Sequence, residues 1–193
     1  LPDSIDQHVV VAARRGDGDA FAIIWRELSP AVRAYVAARG ALDPDEVTSD
    51  VFLAVLPRLA GLTGGVAGLR TFVFSVAHAR LVDEMRRRAR RPVSVEFDPH
   101  HHDGVVDSAE QHALQNVATA QVYALLDRLE PDYREVLALR VLADLGVGQT
   151  AKVMGRSAGA VKQLQRRALL ALRAQLNGHG VTDGRAETIT DSS

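Results

Sequence analysis

Apolar residues recur at three- and four-residue intervals along this chain, and no stretch alternates apolar and polar residues between hairpin-type turns. One segment carries Phe21, Ile24, Trp25, Leu28, Val32, Tyr35 and Val36 at this spacing. A helix turns about 100° per residue, so these side chains fall on one stripe that must be buried against another helix. The pattern predicts an all-α fold. Aromatics at such spacing fill bundle interiors, so Trp25 and Tyr35 are expected in the core rather than at a binding surface. A shorter helix over about residues 5–15 precedes the segment and ends at Gly16-Asp17-Gly18.

The chain has 193 residues with 47% hydrophobic content, enough for one medium or two small domains. No apolar run approaches the roughly 20 residues of a membrane span, and the start LPDSIDQHVV lacks the basic flank and apolar stretch of a secretory signal. A cytoplasmic protein without membrane contact of its own is the expectation. The absence of cysteine excludes disulfides, thiolate zinc sites and thiol redox sensing. A net charge of −1 argues against nucleic-acid binding only if charge is evenly spread. It is not: residues 70–91 hold seven arginines against Asp83 and Glu84, whereas residues 93–116 hold five carboxylates and no Lys or Arg. Local patches set the field a partner meets.

Asp43-Pro44-Asp45-Glu46 is a helix start, with Asp43 placed to cap free amides, Pro44 suited to the first turn and Glu46 at the capping-box position. The helix that follows, ending near Pro57 or a turn beyond it, sets Val47, Val51, Phe52 and Val55 on one side and Asp45, Ser49 and Asp50 mostly on another. Read from the residues alone, those carboxylates serve as caps and a solvated face. The segment 62–68 has three glycines but neither the Lys-Ser/Thr ending of a phosphate loop nor a preceding strand, which excludes a P-loop. It either brings backbone close to another body or makes a connection. A helix over about 69–90 then uses Phe72, Val73, Val76, Leu81 and Met85 as apolar anchors and closes on Arg86-Arg87-Arg88-Ala89-Arg90-Arg91. One or two arginines complement a helix dipole; five in six residues exceed that need and point to a phosphate-contacting edge, with a solvated tail as the alternative.

Pro92 ends this unit, and the acidic stretch after it, without helical period, reads as a linker. Its run His100-His101-His102 lies near Asp103 and Asp107, yet three consecutive histidines cannot all face one ion from a regular backbone, so no metal site and no cofactor is expected. A second helical unit starts around Ser108, with Val122, Leu125, Leu126 and Leu129 and then, from Pro131, Val136, Leu137, Leu139 and Val141. The stretch VGQTAKVMGRSAGAVKQLQRRALLALRAQL has helix-turn-helix spacing. Ala151 is small where two helices cross, Gly155 relieves the turn, Ser157 caps the second helix, and Val161 and Leu164 point into the core. Lys162, Gln163, Arg166 and Arg167 are left on the exposed face, and these residue types reach phosphates and major-groove base edges. A three-helix packing unit with a solvated basic face is the plain alternative. The tail from Asn177 is polar and expected to lack order.

In their order, these units resemble group IV, or extracytoplasmic-function (ECF), sigma factors of bacterial RNA polymerase over about residues 6–176. GDGDAFAIIWRELSPAVRAYV resembles the start of sigma region 2, DPDEVTSDVFLAVLPRL the family's acidic helix, and LRTFVFSVAHARLVDEMRRRARRP its strand-separating, minus-ten-reading segment. LEPDYREVLALRVLADLGVGQTAKVMGRSAGAVKQLQRRALLALRAQL resembles region 4, which reads the minus-thirty-five element. The resemblance implies a region 2 domain over 5–91, a flexible acidic linker over 92–112, a region 4 domain over 113–176 and a tail over 177–193.

The resemblance also implies roles. Glu46, Ser49, Asp50 and Phe52 match the positions that dock on the clamp helices of the polymerase largest subunit. Gly64, Gly65, Arg70, Phe72, His78, Arg80, Arg86 and Arg87 fall in the segment that captures and melts minus-ten DNA, where a flipped base enters a shaped pocket. Ser157, Lys162, Gln163, Arg166 and Arg167 match the positions that meet minus-thirty-five DNA. The family's usual melting-helix Trp is Phe72 here, and its frequent Asn is Ala79, flanked by His78 and Arg80. The implied partners are core RNA polymerase, through those clamp helices and the flap of the second-largest subunit, promoter DNA and an anti-sigma factor. The linker is implied to run into the polymerase, its acidity mimicking single-stranded nucleic acid. No catalytic residue is implied. Two rivals remain: a polymerase-independent helix-turn-helix regulator whose first domain dimerises or senses a ligand, and a metalloenzyme built on His100–His102 and nearby carboxylates.

Overall fold

The computed structural model describes residues 5–90 and 120–179, with side chains described to residue 177. The elements in chain order are α1 (Gln7–Arg14), α2 (Gly18–Ala38), α3 (Pro44–Val55), a 3-10 turn (Leu56–Gly61) and α4 (Gly65–Arg90). They are followed by α5 (120–127), α6 (Pro131–Leu137), a π-helical segment (Ala138–Leu142), α7 (Val147–Met154) and α8 (Ala158–His179). Among the described residues there is no strand. Aspartates start the first three helices: Asp6 accepts from the Val9 amide at 2.9 Å, Asp17 from those of Asp19 and Ala20, and Asp43 from those of Asp45 and Glu46. Each satisfies amides that the helix itself leaves free, which stabilises a terminus by about 1 kcal/mol.

Helices α1–α4 form one body around Val10, Ile24, Leu28, Val32, Tyr35, Val51, Phe52, Leu69, Val73 and Phe74, all buried. Tyr35 of α2 meets Phe74 of α4 edge-on, with ring centroids 5.8 Å apart. Helices α5–α8 surround Leu126, Leu129, Val136, Leu139, Leu145, Val153, Val161 and Ala168. Burial of each Leu, Val or Phe of this kind contributes about 1.5–3 kcal/mol. The two bodies touch: the π segment packs on α2, and α7 packs on α4.

Several apolar positions differ from their expected places. Trp25 lies at the rim, 38% exposed, with its indole edge-on to Phe52. Met85 is exposed because the last turns of α4 project beyond the α1–α4 body. Val122 of α5 is exposed as well. Val141, expected in the core, is 66% exposed. Its displacement has a backbone cause: the Ala143 amide bonds to the Ala138 carbonyl at 3.0 Å, an i→i+5 step that absorbs one residue and turns Val141 outward. Leu164 is only partly buried. Helix α4 begins at Gly65, so the segment read as a connection already contains the helix's first turn, and α8 continues past Asn177 to His179. The acidic linker, His100–His102 and the tail beyond 179 lie outside the described residues.

Candidate nucleic-acid interface

Helices α7 and α8 meet through the turn Gly155-Arg156-Ser157. Gly155 has φ +62°, the left-handed conformation that ends a helix cheaply only without a Cβ. The Arg156 amide returns to the Ala151 carbonyl at 2.9 Å, and Ser157 Oγ accepts from the Ala160 amide at 3.1 Å, opening α8. Val161 and Ala168 are fully buried on the inner side of α8. The opposite side presents Lys162, Gln163, Arg166 and Arg167, all exposed, with Ser157 exposed at its start. A shallow groove of about 410 Å³ runs along α8 between Lys162, Arg166 and Arg173 and the exposed Leu169 and Leu170. In RRALLALRAQL those leucines look like any apolar stripe, so spacing alone does not mark them as exposed.

The glycine segment folds tightly against itself. A Cβ on Gly68 would stand 2.0 Å from the Thr63 carbonyl oxygen, so only glycine fits the approach. Gly64 and Gly65 both have positive φ. Beside them lies a cavity of about 560 Å³ lined by Arg58, Thr63, Thr71 and the half-buried Phe72, and closed on one side by Gln149 and Lys152 of α7. The minus-ten set therefore splits. Gly64 and Phe72 line this cavity, Gly65 lies against the Gln7 side chain instead, and Arg80, Arg86 and Arg87 are exposed along α4. Arg70 and His78, placed in the same set, turn instead to the second body. Arg70 Nη2 donates to the Ala143 carbonyl at 2.8 Å, and His78 Nδ1 lies 2.6 Å from Glu135 Oε1.

Glu135 of α6 is the centre of that contact. Its side chain and that of Arg39 are each 8% exposed, with Arg39 Nη2 3.4 Å from Glu135 Oε2 and Arg39 Nη1 donating to the Pro131 carbonyl at 3.0 Å. The Tyr35 hydroxyl lies 3.3 Å from His78 Nδ1. Burial pushes the Glu135 carboxyl up, but the His78 hydrogen bond and the charges of Arg39, His78 and Arg156 outweigh it and hold it below its ordinary value. Burial likewise pushes the Tyr35 hydroxyl far up, so it stays neutral. Spacing does not announce this cluster, but the sequence holds a trace of it: Glu135 sits four residues before Leu139 on an apolar stripe, where a carboxylate needs a buried cation.

Helix α3 offers a third surface. Asp45 is bound by Arg33, whose Nε and Nη2 reach its two oxygens at 2.7 and 3.1 Å, a bidentate bond that raises the guanidinium's pKa. Glu46, Ser49 and Asp50 are exposed. Phe52, grouped with them, is corrected: it is 1% exposed, held between Phe21 and Trp25 with centroids 6.3 and 4.6 Å away. It supports the surface from beneath. The apolar residue that does face outward is Leu53, 70% exposed, with Leu56 and Trp25 also uncovered. Leu53 is two residues past Val51 and so out of phase with the buried stripe, a signal present in the sequence. Among the described residues no group of His, Asp and Glu is placed to hold a metal ion, and no helix is long and apolar enough to cross a membrane.

Residues 119–172 match the family described as Sigma-70, region 4. The ECF RNA polymerase sigma factor BldN of Streptomyces coelicolor is 29% identical over 166 residues, 85% of this chain, which spans 63% of that protein's length. The RNA polymerase sigma-E factor of Streptomyces avermitilis is 34% identical over 150 residues, covering 75% of this chain and 79% of that protein. In fold the chain is similar to the sigma factor RpoE in its complex with the anti-sigma factor NepR from Bartonella quintana, with TM-score 0.61, 20% identity and coverage of 81% of this chain and 96% of that one. At this identity and coverage, the chain belongs to the ECF RNA polymerase sigma factors.

Proposed function

We propose that this sigma factor confers promoter specificity on core RNA polymerase through three separate surfaces. Residues 5–91 form the region 2 domain and 113–176 the region 4 domain, with the acidic segment 92–112 between them. Glu46, Ser49 and Asp50, with Leu53 beside them, dock on the clamp helices of the polymerase largest subunit. The flap of the second-largest subunit receives the region 4 domain. The cavity beside Gly64, Gly65 and Phe72 receives a flipped minus-ten base, and Arg80, Arg86 and Arg87 hold phosphates of the melted strand. Helix α8 enters the major groove at the minus-thirty-five element with Lys162, Gln163, Arg166 and Arg167, Ser157 lying at its leading end.

The observation that carries this reading is the division of α8, whose inner side is anchored by Val161 and Ala168 while its outer side presents four polar or cationic side chains without covering. Arg and Lys supply the salt-dependent phosphate affinity, and Arg and Gln the bidentate base contacts that carry sequence preference. The chain performs no chemistry of its own and works in the cytoplasm. An anti-sigma factor holds it inactive, as a partner of that class is bound to the similar RpoE. Transcription from a promoter library with core polymerase tests the whole: the chain should select a discrete promoter set, and Asp50→Arg should abolish co-purification with core polymerase. Failure to bind core polymerase, or binding indifferent to Asp50→Arg, would return the chain to the class of polymerase-independent regulators.

A further inference from the structure

The geometry points to a thymine reader on α8: Leu170, with Leu169 beside it, takes the C5 methyl group of a thymine in the minus-thirty-five element. This rests on the assignment of the outer side of α8 to duplex DNA.

Leu169 and Leu170 are 47% and 57% exposed, and both fall outside the inner stripe that Val161 and Ala168 define. Helical phase puts them among the side chains assigned to DNA. Leu170 follows Gln163 by seven residues and Arg166 by four, so at about 100° per residue it projects between those two directions, one turn further on. Leu169 follows Lys162 by seven and stands within about 20° of it, and Arg173 stands in the same relation to Arg166. The leucines therefore interrupt a cationic row, and the groove between them is bounded by Lys162, Arg166 and Arg173. From Ala158 to His179 the helix holds no Asp or Glu. A second copy of this face would set cation against cation. The pattern fits a ligand that is anionic along its rim and apolar at one point within. A duplex major groove at a thymine has that form, with phosphates on its walls and the C5 methyl as the apolar group on a base edge. Against another base, Leu170 would cover donors and acceptors without replacing their bonds to water. With α8 lying along the groove, Leu170 is about 10 Å beyond Gln163, or about three base steps.

The test uses the full chain with core polymerase, on a duplex carrying the minus-thirty-five sequence that the promoter library selects. Each thymine is replaced in turn by uracil, which differs only in lacking the C5 methyl group. One replacement should weaken binding by about fourfold, the effect of leaving one methyl group uncovered, and the others should leave it unchanged. Leu170→Ala should weaken binding to the parent duplex by a similar factor and be indifferent to uracil at that position. Leu169→Ala should show a smaller loss. Both side chains are exposed, so thermal unfolding should be unaltered, and the uracil series on the wild-type chain needs no variant at all. Wild-type binding insensitive to every uracil, or a uracil effect that Leu170→Ala leaves intact, would overturn the thymine reader while leaving α8 on the DNA. Loss of core-polymerase affinity in Leu170→Ala with the uracil effect intact would make the leucines a protein contact instead. A chain without sequence preference at this element would overturn the assignment of α8 to DNA, and the thymine reader with it.

Discussion

The α8 face and the glycine-loop face are both assigned to promoter DNA, yet they are built on opposite principles. On α8 the side chains are set by a single regular helix, capped by Ser157 and backed by Val161 and Ala168, and they stand open without the rest of the protein having to move. At the glycine loop the surface is made of turns, held by a carbonyl that tolerates only glycine opposite it, and Gln149 and Lys152 of the other body stand across its cavity. A duplex reader can be complete in advance, since the groove comes to it preformed. The cavity at the glycine loop is open space of about 560 Å³, and α7 contributes only Gln149 and Lys152 to its lining.

Perturbations of each face should separate them. The largest effect is expected from Phe52→Ala, which removes the ring beneath Trp25 and should cost about 3–5 kcal/mol. Trp25 is the sole tryptophan, so its fluorescence reports that loss directly as a lowered urea midpoint, and α8 should still bind duplex DNA where the second body remains folded. Gly68→Ala forces a methyl group toward the Thr63 carbonyl, with an expected cost of about 1–3 kcal/mol in loop geometry. Permanganate footprinting should show less promoter opening, with affinity for minus-thirty-five duplex unaltered. Arg166→Ala should do the reverse, weakening duplex recognition by about 1–3 kcal/mol and flattening base preference in a binding-site selection. A uniform loss across all sequences would make Arg166 a phosphate contact. Ser157→Ala is the gentlest, about 1 kcal/mol from the lost cap, seen as a small drop in the second body's thermal midpoint.

The same contrast explains what the sequence disclosed. Helices that start with Asp43-Pro44 or end in Gly155 declare themselves through local chemistry, and the α8 face follows from helical phase once Val161 is assigned inward. Phase also misleads where the helix is irregular: Val141 is out because of one absorbed residue that no local composition announces. Phe52 was grouped with its neighbours by resemblance, although its own stripe with Val51 and Val55 places it inside, and Leu53 carries the exposure instead. The Arg39–Glu135 pair joins residues 96 positions apart, and such a contact is invisible to spacing. Only the oddity of a carboxylate among Val136, Leu137 and Leu139 hinted that something was to be met there.

The π segment at Ala138–Leu142 has a consequence for gearing between the two bodies. In a regular helix of about 3.6 residues per turn, positions eight apart diverge by about 80°. With one residue absorbed, Glu135 and Ala143 behave as positions seven apart and align to within about 20°. One rod of chain can thereby aim a carboxylate and a carbonyl at the same neighbour, the first meeting Arg39 and His78 and the second Arg70. Regularising the helix without shortening it would rotate one tooth out of mesh, whereas deleting one residue along with the bulge would keep both in phase. The bulge works as a phase corrector, converting a helical pitch that does not repeat at the needed interval into one that does.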